Sequence, residues 1–518
     1  MRKRMSIYNS GEQARDLHQA TLSRRPQLNR SPLSRDECLN MLDYYSEDYS
    51  TFAPWTGDGQ HTTSASSQTS KIQSQPSFDL LEPSPTRLSD TEQDLLNVEP
   101  NSDIQRLKST LDEPKCTHTE AWEAYSRIGS RGIAHLSHHS RHRLMQCLSI
   151  IRKKNRESMF RYLSVVDDMK ALGLPLTEAE WNSAIAFTAH AFERINAAGV
   201  ESALLKWKEM EQQAQVKSGH VTFNILFDMA TKAGKFVLAE MILKEMEARG
   251  LKKNRHTRVG MIYYHGLKGD GDGVRRAYRE FVKAGEVVDT VVMNCVIASL
   301  IRAGELSAAE HVYERMKLVL SQHTGRQIPN LHWTEPRDLG RILDRAARKH
   351  RDRPDELRRV QEQQFLAPSQ HTFAIFVEHH ATRTGELRRI GSLLAEMQDL
   401  GVPMDGRIFV KIFKGFAFHG GERYTTWTKA RLENVWGSML GILDQRLDSV
   451  KLNRWMAVWA MRAFEKCSGH EETLQIWEEL RKRWKRDFAE LATTQEMVSD
   501  LLKRAVKHAA AAPAKVYI

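Results

Sequence analysis

Cysteine is scarce in this chain of 518 residues: there are five, at positions 38, 116, 147, 295 and 467, and none stands at a paired spacing from another. That excludes a zinc motif and a disulfide framework, and it suits a reducing compartment. Long hydrophobic runs are also missing. No stretch of eighteen apolar residues occurs, so no membrane span is expected. The parts needed for catalysis are equally thin. No alternating strand series precedes Trp122 or follows Trp484, which leaves no place for the α/β module with clustered acids that a metal-dependent nuclease requires. A nucleophile motif is absent, and Gly269 to Gly273 is read as a turn between helices rather than a phosphate cradle. No catalytic residue, metal or cofactor is assigned, and a protein without enzymatic activity is expected.

Two segments are nearly lacking in charge of one sign. Residues 1–35 hold eight Lys or Arg against two acids, whereas residues 36–115 hold fifteen acids against five bases. The formal total is +11, so the rest of the chain carries +15. Arg2, Lys3, Arg4, Arg15, Arg24, Arg25 and Arg30, with serines between them, make 1–35 resemble a mitochondrial targeting segment, with a non-specific basic tail as the alternative that composition leaves open. Residues 36–115, with a Ser/Thr/Gln tract at 60–77 and prolines at 54, 76, 83, 85 and 100, read as an acidic, polar, disordered linker. Within it, Met41 to Tyr45 is a short apolar cluster able to dock elsewhere. A basic helical body points toward nucleic acid, with a solvated surface as the alternative that charge alone leaves open.

What the chain does have is a period. His220-Val-Thr-Phe-Asn224 is followed 35 residues later by Arg255-His-Thr-Arg-Val259, and 35 later again by Thr290-Val-Val-Met-Asn294. Gly234, Gly269 and Gly304 keep the same step; so do Gly250 and Gly285, the series Met246, Phe281, Met316, and the series Ile242, Ala277, Val312. A fixed period of this size marks an array in which each unit is one supersecondary element unable to bury its apolar face alone. Apolar residues recur at helical spacing before and after the first glycine (Phe223, Leu226, Phe227, Ala230; then Leu238, Ile242, Leu243, Met246), so each unit is a helical hairpin. Gly250 stands where a helix commonly ends in a left-handed residue. The fold class predicted is all-α, a solenoid of helical hairpins behind a disordered N-terminal region.

Phe223 to Phe227, Lys232-Ala233-Gly234 and Glu245 to Lys252 closely resemble the pentatricopeptide repeat. Ile301 to Leu306 resembles the same turn, and a further copy appears in His371-Thr-Phe373, Thr384 to Leu387 and Glu396 to Asp405, with one extra residue between Phe373 and Gly385. The resemblance covers roughly 150–490 with gaps. It implies a superhelix whose concave face holds single-stranded RNA, one base per repeat, read by two or three side chains. Carried over residue by residue, the resemblance makes Asn182, Asn224, Val259, Asn294 and Ala374 the first readers, with Asn254, Asp289 and Asp405 as the terminal residues of the second, third and Thr372 copies. An Asn amide offers a base edge both a donor and an acceptor; Val259 and Ala374 cannot do this through their side chains. Each Asn near a helix start also suits a local cap.

The remaining organisation follows the same reading. Degenerate helical repeats are expected over 116–219, three well-phased repeats over 220–324, an inserted basic helical segment over 325–369, degenerate repeats over 370–490, and a capping helix and tail over 491–518. Trp181 to Ile185 matches Phe223 to Phe227 in register, but Asn182 precedes Asn224 by 42 residues, so both turns of that copy are enlarged. His135, His138, His139 and His142 share one helical face; with no carboxylate or Cys beside them, a cationic surface outweighs a metal site. Arg152, Lys153 and Lys154 form a basic knot, and Arg481, Lys482 and Arg483 form another, both assigned to RNA. Trp455 and Trp459, at i and i+4, are expected in the core, and Trp484 at the RNA.

Three classes of function are weighed. The first is an RNA-binding factor of mitochondrial RNA metabolism. The resemblance is greatest to fungal mitochondrial factors of group I intron splicing and small-subunit ribosomal RNA maturation, and it implies a mitochondrial transcript or rRNA precursor, with the mitochondrial small ribosomal subunit, as partners. The second is a protein-binding helical scaffold or mitoribosome-associated structural factor, which degenerate repeats and the acidic linker fit. An RNA-cleaving enzyme is the third and weakest.

Overall fold

Helical periodicity over most of the chain is realised as helices joined by short turns. The computed structural model describes residues 38–39, 41–42, 102–113, 116–151, 154–190, 194–322, 335–350, 353–362, 364, 366–444, 450, 452–484, 494–501 and 503, and no strand occurs among them. The expected targeting segment 1–35 and most of the expected linker lie outside the described residues. The helices fall into two compact units, Asp43–Leu267, and Met1–Leu42 with Lys268–Ile518.

The first unit holds α1 (Ser102–Asp112), α2 (His118–Gly132), α3 (His138–Ser149), α4 (Arg156–Ala171), α5 (Glu178–Ala189), α6 (Ala197–Lys208), α7 (His220–Lys232), α8 (Phe236–Ala248) and nearly all of α9 (Arg255–Lys268). Helix α1 lies in the stretch expected as linker. Its Leu107 and Leu111 are fully buried, and those two side chains give the segment the apolar face that composition averaged over 36–115 concealed. The hairpin of α7 and α8 shows the rule of the array. Phe223, Leu226, Phe227, Met229 and Ala230 of α7 meet Ala239, Ile242 and Met246 of α8 in one core, and each large apolar side chain there contributes about 1.5–3 kcal/mol. Gly234 closes the inner turn at φ +70°, with its N–H on the Thr231 carbonyl (3.0 Å) and the Lys235 N–H on Ala230 (2.9 Å), a left-handed termination that only glycine adopts without strain.

The second unit contains α10 (Gly271–Lys283), α11 (Thr290–Arg302), α12 (Leu306–Gln322), α13 (Glu335–Lys349), α14 (Pro354–Glu362), α15 (Gln370–His379), α16 (Leu387–Asp399), α17 (Gly406–His419), α18 (Lys429–Asp444), α19 (Arg454–Ser468) and α20 (His470–Arg483). Phe281 and Met316, from the columns that keep the period, are fully buried, as are Val312 and its neighbour Tyr313. The insertion expected as one basic helix is two, α13 and α14. Pro354 opens the second, since a proline disfavours helical backbone in the residue before it and is well placed at a first helical position. The Gln361 amide anchors α14 by taking the Val288 N–H (2.7 Å) and donating to the Val288 carbonyl (2.9 Å), as a strand neighbour would.

Single-residue irregularities also have structural homes. The extra residue between Phe373 and Gly385 is absorbed in a π-helical turn at His380–Thr384, and the 42-residue copy carries a second such turn at Glu209–Gln213. His380 is buried there, and burial followed by the neighbouring His379 pushes its pKa down to about 4, so the ring is neutral at physiological pH.

Of the apolar cluster expected at Met41 to Tyr45, Met41 and Leu42 have a docking place, and 43–45 lie outside the described residues. Cys38 (1% exposed), Met41 and Leu42 are buried within the second unit, and the Tyr278 hydroxyl of α10 donates to the Cys38 carbonyl at 2.9 Å. A Tyr278→Phe variant is expected to lose about 1 kcal/mol, one buried hydrogen bond, and to expose residues 38–42 to protease. Limited proteolysis with mass mapping checks this; equal cleavage of both proteins refutes the tether.

Candidate nucleic-acid interface

Several first helices begin on a residue whose side chain caps them, at the position expected to end the preceding repeat. Asn254 Oδ1 accepts from the Thr257 N–H (3.0 Å), Asp289 Oδ1 from Val292 (2.9 Å), Asp405 Oδ1 from Arg407 (2.9 Å) and Asn453 Oδ1 from Met456 (3.1 Å). The capping and reading roles are therefore not rivals. Capping needs a short polar side chain, and the cap brings that side chain to the reader of the preceding helix.

Two of the expected readers are met by such a cap. Asn224 Nδ2 donates to Asn254 Oδ1 at 3.2 Å, and the Thr257 hydroxyl donates to Asn224 Oδ1 at 2.7 Å. In the second unit, Asn294 Nδ2 donates to Ser369 Oγ at 3.2 Å, and the Thr372 hydroxyl donates to Asn294 Oδ1 at 2.6 Å. The two triads share one pattern, with the cap oxygen an amide in the first and a hydroxyl in the second. An amide has two N–H groups and two lone pairs on its oxygen, so each Asn spends one of each on its neighbours and keeps one of each.

Ser369 is the residue that sequence reasoning missed. Asn224 and Asn254 are 30 residues apart, but Asn294 and Ser369 are separated by 75, because α13 and α14 are inserted between them. The signal that finds it is the interval of three shared by Asn254 with Thr257 and by Ser369 with Thr372, the spacing of a cap and its third helical residue.

The other expected readers behave differently. Asn182 is buried, as Asn294 is, but it bonds Glu178 Oε1 of its own helix at 3.4 Å. The cap of the next first helix is Gly219, where a Cβ would come within 2.6 Å of that same carboxylate oxygen, so Glu178 takes the place a cap side chain would fill. Asn182 Oδ1 and Thr222 Oγ1 are both buried without a hydrogen-bond partner, and the longer spacing of this copy is where the threonine link of the other two is missing. Val259 is half-buried and Ala374 buried, neither offering a polar atom. Asp289 is buried at its cap, and Asp405 pairs with Arg407 at 2.6 Å.

The basic groups divide by layer. Arg152 and Lys153 lie outside the described residues. Lys154 is half-buried, with its ammonium 5.2 Å from the Phe187 ring centre. Arg481, Lys482 and Arg483 end α20, a second helix of its hairpin, whereas the readers sit on first helices. Arg481 pairs with Glu478 (3.0 Å), and Arg483 with Asp444 (3.3 Å) and Glu479 (2.9 Å). Trp484 is half-buried. On the first-helix layer, Lys411 and Lys414 of α17 share Glu378 of α15. Burial alone would raise the Glu378 carboxyl, but the two lysines outweigh it and hold it below the ordinary range.

The four histidines do not form one face. His135 ends a separate turn at Ile133–His135, and the extended Leu136 and Ser137 separate it from α3. A carboxylate does join the group: Glu180 lies 3.3 Å from His142, brought there by the fold from 38 residues away. Trp455 and Trp459, expected in the core, are half-exposed; Met456, Ala457, Ala460, Met461 and Phe464 form the buried side of α19 instead.

The sequence model of the pentatricopeptide repeat matches residues 221–251 and 291–318. A pentatricopeptide repeat-containing protein of Arabidopsis thaliana is 27% identical over 127 residues, which is 24% of this chain and 24% of that protein. Among solved structures, the pentatricopeptide repeat protein PPR10 in complex with an 18-nt psaJ RNA element is similar at 15% identity and a TM-score of 0.39, over 81% of this chain and 60% of that one. PPR10 from maize is similar at 14% identity and a TM-score of 0.27, over 81% and 70%. The matched residues 221–251 and 291–318 hold the first and third of the 35-residue units, with the left-handed turns at Gly234 and Gly304, and there the chain is similar to the pentatricopeptide repeat.

Proposed function

We propose that this protein binds single-stranded RNA, holding bases against the amides of Asn224 and Asn294. The observation that carries the reading is the repeated triad of reader, cap and threonine, built twice at different places in the chain, once on an Asn cap and once on a Ser cap. It presents an oriented amide with one donor and one acceptor unused, which is what a Watson–Crick edge requires. The basic body supplies attraction for phosphates, and the apolar or displaced readers Val259, Ala374 and Asn182 contribute grip without base choice.

We assign the RNA to mitochondrial RNA metabolism: small-subunit rRNA 5′-end processing and maturation, intron splicing or transcript stabilisation. The basic, serine-containing residues 1–35 support that address. Sequencing RNA crosslinked to the tagged protein in cells identifies the transcript and, with it, the compartment.

Binding of single-stranded RNA is expected to weaken with salt at roughly the 0.7 power per neutralised phosphate. Asn224→Ala should weaken a preferred sequence about fivefold, the worth of one hydrogen bond of about 1 kcal/mol, and leave a random pool less affected. Asn254→Asp keeps the cap while changing the reader's partner, so it separates recognition from helix stability. Equal losses on both RNAs would remove the reader assignment. Absence of salt-sensitive binding would favour the scaffold reading, whose support is the exposed Phe160, Leu205, Val237 and Met241 on second helices of the first unit.

A further inference from the structure

The reader register does not stop at Asn294. Asn294 is the fifth residue of α11; the fifth residues of α17 and α19 are Val410 and Val458, which have no side-chain hydrogen bond to offer a base. Four and eight residues further along the same helical faces stand Lys414 and Phe418 on α17, and Arg462 and Lys466 on α19. Trp459 lies between the two rows. Its ring centre is 5.7 Å from that of Phe418 at 59°, the Arg462 guanidinium lies 4.7 Å above it, and the Lys414 ammonium is 5.4 Å away. Phe418, Trp459, Arg462 and Lys466, with Ala417, Glu465 and Leu501, line an open groove of about 390 Å³.

Packing does not account for the pair. Phe418 is 51% exposed and Trp459 half-buried, and the Trp459 indole N–H has no hydrogen-bond partner among the described residues. Indole groups of this size are ordinarily buried or bonded. Of the three cations, Lys414 shares Glu378 at 3.4 Å, and the other two are not spent on acids. Arg462 and Lys466 are exposed and make no ion pair among the described residues, and Glu465, the acid on the groove, is 3.6 Å from His470. Exposed ring faces beside unbalanced cations complement a unit that joins a flat π-system to a negative charge, which is a nucleotide.

We infer that Phe418 and Trp459, flanked by Lys414, Arg462 and Lys466, form a stacking site for an unpaired nucleobase of single-stranded RNA. The site rests on the RNA-binding reading above and adds a second mode of holding the strand. Where the fifth residue cannot read a base edge, ring stacking grips a base of any identity and the cations hold its phosphate. Binding there is expected to add affinity and no sequence preference.

The test uses the full chain and a labelled random-sequence pool of single-stranded RNA carrying 5-iodouridine. Trp459→Leu is expected to weaken binding about tenfold, equally at low and high salt, because stacking releases no counterions. Trp459→Phe should recover most of that loss. Arg462→Gln, an exposed change that leaves the core untouched, should lower the salt slope by about 0.7. Ultraviolet crosslinks should map to peptides containing Phe418 or Trp459. If Trp459→Leu and Arg462→Gln both bind the pool as the unaltered chain does, and crosslinks map only to α7 and α11, the stacking site is overturned while the RNA-binding reading stands. If the unaltered chain binds no RNA, both fall.

Discussion

Trp427→Ala is expected to cost about 3–5 kcal/mol at its joint, among the largest losses any single substitution in this chain should produce. Trp427 precedes α18 and is 1% exposed. Its indole N–H donates to the Gly385 carbonyl at 2.8 Å, and its ring meets Phe416 edge to face with centres 4.8 Å apart. Gly415 is what admits the ring, since a Cβ there would overlap it. One side chain thus fastens the inner turn of the α15–α16 hairpin to α17, and truncation leaves both a cavity and an unpaired carbonyl. In an array each repeat is stabilised by its neighbours, so the loss should appear as faster amide exchange in α15 to α18, with α7 and α8 unchanged. Trp484→Ala, at a half-buried residue, is the control and should cost far less. A shift below about 1 kcal/mol for Trp427→Ala would mean that the joint is not fastened there.

The periodic part of this fold was legible because each feature of the period has a local physical cause. Gly234 must be glycine to take its turn, Met246 and Phe281 must be apolar to close their hairpins, and Asn224 recurs as Asn294 because the same triad is built twice. What was illegible depended on contacts distant in sequence. Helix α1 hid in a stretch whose average composition is acidic, and Cys38 to Leu42 find Tyr278 some 240 residues away. Ser369 is a terminal residue in space but not in spacing, because the chain detours through α13 and α14 before returning to register. Trp455 and Trp459 were misplaced for another reason. Spacing of i and i+4 establishes that two residues share a face, not which face, and the buried face of α19 is defined by smaller residues. The basic run at 481–483 shows the limit of counting charge, since two of its three cations already have acidic partners on second helices.

Glu396→Leu should cost about 2–3 kcal/mol at neutral pH, less than a fully buried pair would because the carboxylate is partly exposed. Glu396 on α16 accepts from the Tyr313 hydroxyl and the Lys317 ammonium of α12, both at 2.8 Å, and from Arg389 at 3.1 Å; Arg389 also reaches Glu310 of α12 at 3.3 Å. The network joins second helices that stand on either side of the insertion in sequence, and it holds the array in phase where the chain departs from it. Burial by itself would raise the Glu396 carboxyl, but the Lys317 hydrogen bond and charge, with Tyr313 and Arg389, outweigh it and hold the pKa below the ordinary range. The unfolded chain therefore takes up this proton first as pH falls. The stabilisation is complete above the ordinary carboxylate range and is lost as pH drops through the lowered folded value. The gap in urea midpoint between the unaltered chain and Glu396→Gln should accordingly be widest near neutrality and close in acid. Glu378 has the same sign of shift and is present in both proteins, so its contribution cancels in that difference. A gap that stays constant between neutral and acid pH would show that Glu396 contributes by packing alone. The second helices would then be held across the insertion by their apolar faces, and the charge network would be incidental to the phase of the array.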